Sequence, residues 1–290
     1  MSDAPKVDEE TGVETTGHSW DGIEELNSPL PRWWLWTFYL TIIWAVGYTI
    51  AYPAWPMVKG ATEGVLGWST RANVATEIAE HEARNADLAN ELVSVDLATL
   101  ETGSALQRYA TSRGEAVFIA NCSQCHGSGA AGVQAAGYPN LLDDAWLWGG
   151  EIDQIAYTVR HGIRNETDPD ARWSEMPAYG DTFSRDETKA VVEYVYSLSS
   201  DDHDASLAEE GSTLFLDNCA ACHGDDAMGN TDLGAPNLSD AIWLYGGDRE
   251  TLTETVTNAR FGVMPAWGQR ISEADVRAVS AYVHSLGGGE

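Results

Sequence analysis

The sequence predicts an all-α chain in which an N-terminal single transmembrane helix is followed by two copies of one small helical domain. Three observations predict it. Trp33 to Tyr52 is a run of 20 residues without a charge, Cys-x-x-Cys-His occurs twice, and the surroundings of the two copies align at an offset of 97. The segments implied are an acidic tail over 1–32, a span over 33–52, a helical linker over 53–112, and repeats over 113–200 and 201–290.

Twenty helical residues rise about 30 Å, enough to cross a hydrocarbon core. Trp33, Trp34 and Trp36 at one end and Tyr52 and Trp55 at the other read as interfacial belts, with Arg32 and Lys59 just outside. The lipid bilayer is therefore an expected partner. Residues 1–32 lack the basic, cleavable pattern of a signal peptide, so the span is expected to stay as an anchor. Beyond Pro53 and Pro56 the linker becomes helix-favouring, with Leu88, Leu92 and Leu100 among many alanines. It reads as a helical arm, standing the repeats off the membrane, docking, or simply solvated.

The two motifs are Cys122-Ser123-Gln124-Cys125-His126 and Cys219-Ala220-Ala221-Cys222-His223, and together they use all 4 cysteines. This is the signature of covalent c-type haem attachment: each thiol adds to a haem vinyl group and the adjoining imidazole reaches the iron. Two covalently bound haem c groups are expected. Zinc would need four nitrogen or sulfur ligands and could draw on both cysteine pairs together, while a thioredoxin-like site would need a βαβ context that the sequence lacks.

The repeat extends well beyond the motifs. Phe118-Ile119-Ala120-Asn121 matches Phe215-Leu216-Asp217-Asn218, Pro139-Asn140-Leu141 matches Pro236-Asn237-Leu238, and Trp146-Leu147-Trp148-Gly149-Gly150 matches Trp243-Leu244-Tyr245-Gly246-Gly247. The register then drifts, with Arg160-His161-Gly162-Ile163 set against Arg260-Phe261-Gly262-Val263 and Met176-Pro177-Ala178-Tyr179-Gly180 against Met264-Pro265-Ala266-Trp267-Gly268. That alignment leaves 12 extra residues, Arg164 to Glu175, as a surface or partner-contacting loop in the first copy.

Haem iron needs a second axial ligand, and thioether sulfur suits an electron carrier because it raises the potential. Of 5 methionines, Met1 and Met57 lie outside the repeats and Met228 is too near His223 in sequence to reach the opposite haem face. Met176 and Met264 remain, in a shared Met-Pro-Ala-aromatic-Gly context that outweighs a gap-filling role in the core. His161, opposite Phe261, and His284, opposite Tyr196, are read as non-ligands. Pro139 and Pro236 offer either a carbonyl for the ligating imidazole or a plain turn. Trp146, Trp148, Trp243 and Tyr245 fit haem edges or core packing, and Arg160 and Arg260 fit propionates or solvent.

Ser184-x-x-Glu187 and Ser272-x-x-Asp275 read as helix starts, followed by the apolar faces Val191, Tyr194, Val195, Leu198 and Val279, Tyr282, Val283, Leu286. Ser112-x-x-Glu115 and Ser206-x-x-Glu209 read as starts of the helices entering the haem motifs. The pattern resembles the class I cytochrome c fold. Domains this small bury a modest fraction of their surface, and haem supplies the missing core.

The formal charge is −29, of which −12 falls on residues 201–290. Nucleic acid is an improbable partner, and a basic soluble cytochrome a suitable one, because opposite potentials speed encounter. Basic residues flanking the span do not orient it. Haem chemistry does, since covalent attachment in bacteria takes place outside the cytoplasmic membrane; the repeats are expected in the periplasm and the N-terminus in the cytoplasm.

The tail Gly17-His18-Ser19-Trp20-Asp21-Gly22-Ile23-Glu24-Glu25-Leu26-Asn27, the entry Pro29-Leu30-Pro31-Arg32-Trp33-Trp34-Leu35-Trp36, the exit Tyr52-Pro53-Ala54-Trp55-Pro56 and two haem domains closely resemble the di-haem subunit III of cbb3-type cytochrome c oxidases. The resemblance covers essentially the whole chain. It implies an inner-membrane electron-transfer subunit, passing electrons from a soluble or membrane-bound donor cytochrome c towards a mono-haem cytochrome c subunit. The catalytic haem-copper subunit beyond reduces oxygen to water and pumps protons, and no oxygen-reduction site is expected on this chain. Carried over residue by residue, Cys122, Cys125, His126 and Met176 hold one haem, and Cys219, Cys222, His223 and Met264 the other. The alternatives are a membrane-anchored di-haem cytochrome c acting as a free carrier or dehydrogenase subunit, and a di-haem peroxidase, which would need one open iron position. No nucleophile, acid–base pair or phosphate loop calls for a catalytic residue.

Overall fold

The computed structural model describes residues 6–240 and 242–289. The first five residues of the tail, Met1 among them, and Ala241 and Glu290 of the second repeat lie outside the described residues. Two compact units follow one another, 1–83 and 84–290.

In the first unit, β1 (Thr15–Trp20) and β2 (Ile23–Leu26) form an antiparallel hairpin. Asp21 and Gly22 turn it with φ of 53° and 86°, the positive pair that a two-residue loop needs to match strand twist. α1 (Arg32–Ala51) coincides with the expected span to within a residue. Its mean hydropathy is 1.3 and none of its residues is buried: Phe38, Tyr39 and Trp44 are 46, 52 and 75 % exposed, on three different sides of the helix. So much apolar surface around a whole helix is stable only in lipid. A short hairpin, β3 (Pro56–Met57) and β4 (Gly60–Ala61), turns the chain back. Val65 and Leu66 then donate N–H bonds to the carbonyls of Ile50 and Ala51, groups that a helix end leaves without intrahelical partners. Among the described residues the sheet content is confined to these small hairpins and isolated bridges, so the mostly helical class stands.

α2 (Thr70–Ser94) runs out of this unit and into the second. Its end is docked, not solvated: Leu92 and Leu97 are buried with Ala278 and Ala281, and Arg277 donates to the carbonyls of Leu92 and Val95. α3 (Ala105–Asn121) leads into α4 (Ser123–His126) and later α5 (Ile152–His161) and α6 (Arg185–Ser197). The second repeat supplies α7 (Ala205–Asn218), α8 (Ala220–His223), α9 (Arg249–Asn258) and α10 (Glu273–His284). Ser184 caps α6 in a full capping box and Ser272 caps α10, as the sequence predicts. The other two starts are corrected. Ser104 caps α3 through the Gln107 N–H, which puts Ser112 inside the helix, and Asp204 caps α7 through the N–H groups of Ser206 and Leu207.

The helices exchange partners between repeats. α3 packs on α10 and α6 packs on α7. Gly114 and Gly211 sit at these crossings, where a Cβ would meet the backbone of Ala278 and of Ala190 and Val191. The cause is local. Seven residues join α6 to α7, and a short connection makes consecutive helices antiparallel neighbours. Glu193, buried on α6, fastens the link by accepting the Asp204 N–H at 2.7 Å and both Arg249 nitrogens at 2.8 and 2.9 Å. With α6 taken, α3 is left for α10.

Candidate functional site

Each haem motif closes a helix. Cys122 and Cys219 cap α3 and α7, and the next turn brings the His126 and His223 N–H groups onto the Cys122 and Cys219 carbonyls at 3.0 Å. Thiols three residues apart on one turn share a face. Gly127 and Gly224, at φ of 79° and 80°, then turn the chain away. All four cysteines are free thiols. Burial, followed by the neighbouring cysteine, pushes the Cys122 and Cys219 thiols up to about 11. The two motifs also belong to separate cores, one with Cys122 beside Phe118 and the other with Cys219 beside Phe215. A single site built from both cysteine pairs is excluded.

Both histidines are held alike. Nδ1 of His126 donates to the Pro139 carbonyl at 3.3 Å, and Nδ1 of His223 to that of Pro236 at 3.0 Å. Burial lowers both imidazoles below the ordinary histidine value, so each is neutral with its Nε2 lone pair available. The residues therefore fit covalent haem: paired free thiols, an imidazole of fixed tautomer, and an apolar surround.

Each methionine lies with the haem motif of the other repeat. Met264 packs in the core of Cys122 and Phe118, while Met176 lines the cavity that contains Cys219, Cys222 and His223. Helix exchange is the reason, because each methionine travels with the C-terminal helix of its own repeat. The segment after Met176 is tied to α9, with Tyr179 and Gly180 donating to the carbonyls of Val256 and Thr257 at 3.0 and 2.9 Å. Met264 is bridged to Ile163, each N–H donating to the other's carbonyl at 3.0 Å.

The drift in register is also corrected. Arg172, not Arg160, is the counterpart of Arg260. Arg172 Nε donates to Thr158 Oγ1 at 2.9 Å and its guanidinium stacks on Trp148; Arg260 Nε donates to Thr255 Oγ1 at 3.1 Å and stacks on Tyr245. Thr158 and Thr255 keep the offset of 97, whereas Arg172 and Arg260 share the offset of 88 of the two methionines. The insertion is thus nine residues long and falls between Thr158 and Arg172. Arg160 is engaged by Glu273 at 2.5 and 3.1 Å, and His161 pairs with Asp168 at 3.3 Å. Trp146 and Trp243 belong to the two cores. Trp148 and Tyr245 instead cross to the other repeat, packing on Gly234 and Gly137 respectively.

Comparison with known proteins agrees along the chain. Residues 12–59 match the family described as the N-terminal domain of cytochrome oxidase-cbb3, FixP, and residues 110–195 and 206–283 match cytochrome c oxidase, cbb3-type, subunit III. The chain is 62% identical to the cbb3-type cytochrome c oxidase subunit CcoP of Cereibacter sphaeroides over 95% of both chains. It is 50% identical to the FixP subunit of Sinorhizobium medicae and 49% identical to the CcoP subunit of Rhodobacter capsulatus, over the full length of each. With both haem-motif repeats and the anchor accounted for, the chain belongs to the subunit III (CcoP/FixP) family of cbb3-type cytochrome c oxidases, the membrane-anchored cytochrome c electron-transfer subunits of that complex.

Proposed function

We propose that the chain binds two haem c groups across its repeats: one on Cys122, Cys125 and His126 with Met264 as the second axial ligand, the other on Cys219, Cys222 and His223 with Met176. The observation that carries this reading is duplicated: each motif has a carbonyl-pinned histidine, and a methionine of the other repeat lies in the core of Cys122 or lines the cavity of Cys219, Cys222 and His223. Haem iron, when bound, supplies a reversible one-electron change between the ferric and ferrous states. The protein's part is to fix the imidazole tautomer through Pro139 and Pro236, to offer a histidine and a methionine that would hold the iron, and to exclude water with Phe118, Phe215 and their neighbours. With a histidine and a methionine each able to hold the iron, no position would be left for oxygen or peroxide, and the chain would conduct electrons without itself reducing oxygen.

The partners that suit this role are a basic donor cytochrome c, soluble or membrane-bound, a mono-haem cytochrome c subunit and the catalytic haem-copper subunit. The excess of negative charge supports the first. Covalent haem attachment supports a periplasmic location for the repeats and a cytoplasmic N-terminus in a bacterial inner membrane, with α1 as the single span. Purification in mild detergent tests the reading. Copper and b-type haem are expected to accompany the chain, and its intact mass to carry two added haems. A mass with one addition or none, from a host competent in cytochrome c maturation, refutes it.

A further inference from the structure

The inserted segment of the first repeat places an arginine at the second haem cavity. Arg164 adopts φ of 49°, a left-handed conformation that is unfavourable for a side-chain-bearing residue. That twist follows directly on the Ile163–Met264 bridge and sends the side chain to the cavity lined by Cys219, Cys222, His223 and Met176. Its Nε donates to the Gly262 carbonyl at 2.7 Å and one terminal nitrogen to the Ser174 carbonyl at 2.6 Å. Arg260 lines the same cavity, bonded to Thr255 and the Thr251 carbonyl, and Tyr245 lies beside both.

Among the described residues, neither guanidinium forms an ion pair with a carboxylate. Asp and Glu outnumber Lys and Arg by 45 to 16 in this chain, so half-buried, unneutralised arginines are conspicuous. Arg164 is desolvated enough for burial to lower its affinity for the proton, with Tyr245 and then Glu175 acting the other way. A buried cation held against neutral carbonyls gains most from an anion. The only anionic groups that the haem itself would bring to this cavity are its two propionates, and an arginine fork matches a carboxylate.

We infer that Arg164 binds a propionate of the haem attached to Cys219 and Cys222, with Arg260 as the second cation of that site. This rests on the ligand reading above. The second repeat has no counterpart to the insertion, so the extra cation acts on one haem alone. A positive charge beside a haem disfavours the ferric form, and the Cys219–Cys222 haem takes a higher potential from Arg164 than it would have without it.

Potentiometric titration of the haem α-bands in the full two-haem chain tests this, with Arg164→Gln, Arg164→Lys and Met176→His compared to the unaltered protein. Arg164→Gln is expected to lower one midpoint, the one that Met176→His also lowers, and to leave the other in place. The near-infrared charge-transfer absorption of thioether-bound ferric haem should persist at both sites. Arg164→Lys should retain most of the midpoint. An unchanged midpoint in Arg164→Gln overturns the inference, as does an equal fall at both haems. Loss of thioether absorption without the midpoint shift overturns it too, since Arg164 would then act only through Gly262 on Met264. If Met176→His moves neither midpoint, the ligand reading itself fails and takes the inference with it.

Discussion

The exchange of helices makes a quantitative prediction at Phe118. Its ring is 1 % exposed and packs on Tyr282, from the other repeat, with centroids 5.5 Å apart and planes inclined at 54°. The equivalent pair in the other core is Phe215 with Tyr194, at 5.1 Å and 52°. Tilted aromatic pairs of this kind contribute about 0.5–1.5 kcal/mol beyond their buried area. A double-mutant cycle of Phe118→Leu and Tyr282→Leu should therefore show a coupling of about 0.5–1.5 kcal/mol. Phe118→Leu with Tyr194→Leu should be additive to within about 0.5 kcal/mol, because the two rings lie in different cores. The assay is urea unfolding of the haem-loaded full chain in mild detergent, followed by the Soret band and far-ultraviolet dichroism, with midpoints compared at a common slope. Coupling of Phe118 to Tyr194 instead of Tyr282 would refute the exchanged packing, since it is the result that repeats folded on themselves would give.

Other expectations follow from single features. Glu193→Gln should destabilise the chain at neutral pH, with the deficit shrinking in acid. Hydrogen bonding to Arg249 holds the Glu193 carboxyl below its usual range, so its contribution is present above the unfolded value of about 4.3 and lost as pH falls through the lower folded value; thermal melts across pH 3–7 read this out. Gly234→Val combines φ of 60° with overlap on the Trp148 indole and should cost about 2–4 kcal/mol by chemical denaturation. Electron delivery from a basic donor cytochrome should slow as salt rises; a rate indifferent to ionic strength would remove charge attraction from the account.

The parts of this molecule written in local chemistry were legible before the structure. The span, the two haem motifs, the caps at Ser184 and Ser272 and the apolar faces of α6 and α10 all depend on residues close in sequence. The hairpin turn at Asp21-Gly22 was equally local and went unread, although that dipeptide carries a recognisable signal. The exchange of partners was not legible in the same way. Both copies of an apolar face are so alike that periodicity fits α3 against either α6 or α10, and only the seven-residue connection before α7 favours one outcome. The insertion was displaced for a similar reason. The tetrapeptide beginning Arg160-His161-Gly162 looks like that beginning Arg260-Phe261-Gly262, while the true equivalence of Arg172 rests on its bond to Thr158 and its stacking on Trp148, contacts that no spacing rule encodes.

The measurement that bears most directly on the central claim uses a chain carrying a single haem. With Cys122 and Cys125 replaced by serine, only the Cys219–Cys222 attachment remains, and the midpoint of that haem is titrated in Met176→His and Met264→His backgrounds. Exchanged ligation predicts that Met176→His lowers the midpoint and Met264→His leaves it unmoved. A midpoint that falls with Met264→His and ignores Met176→His would contradict the account.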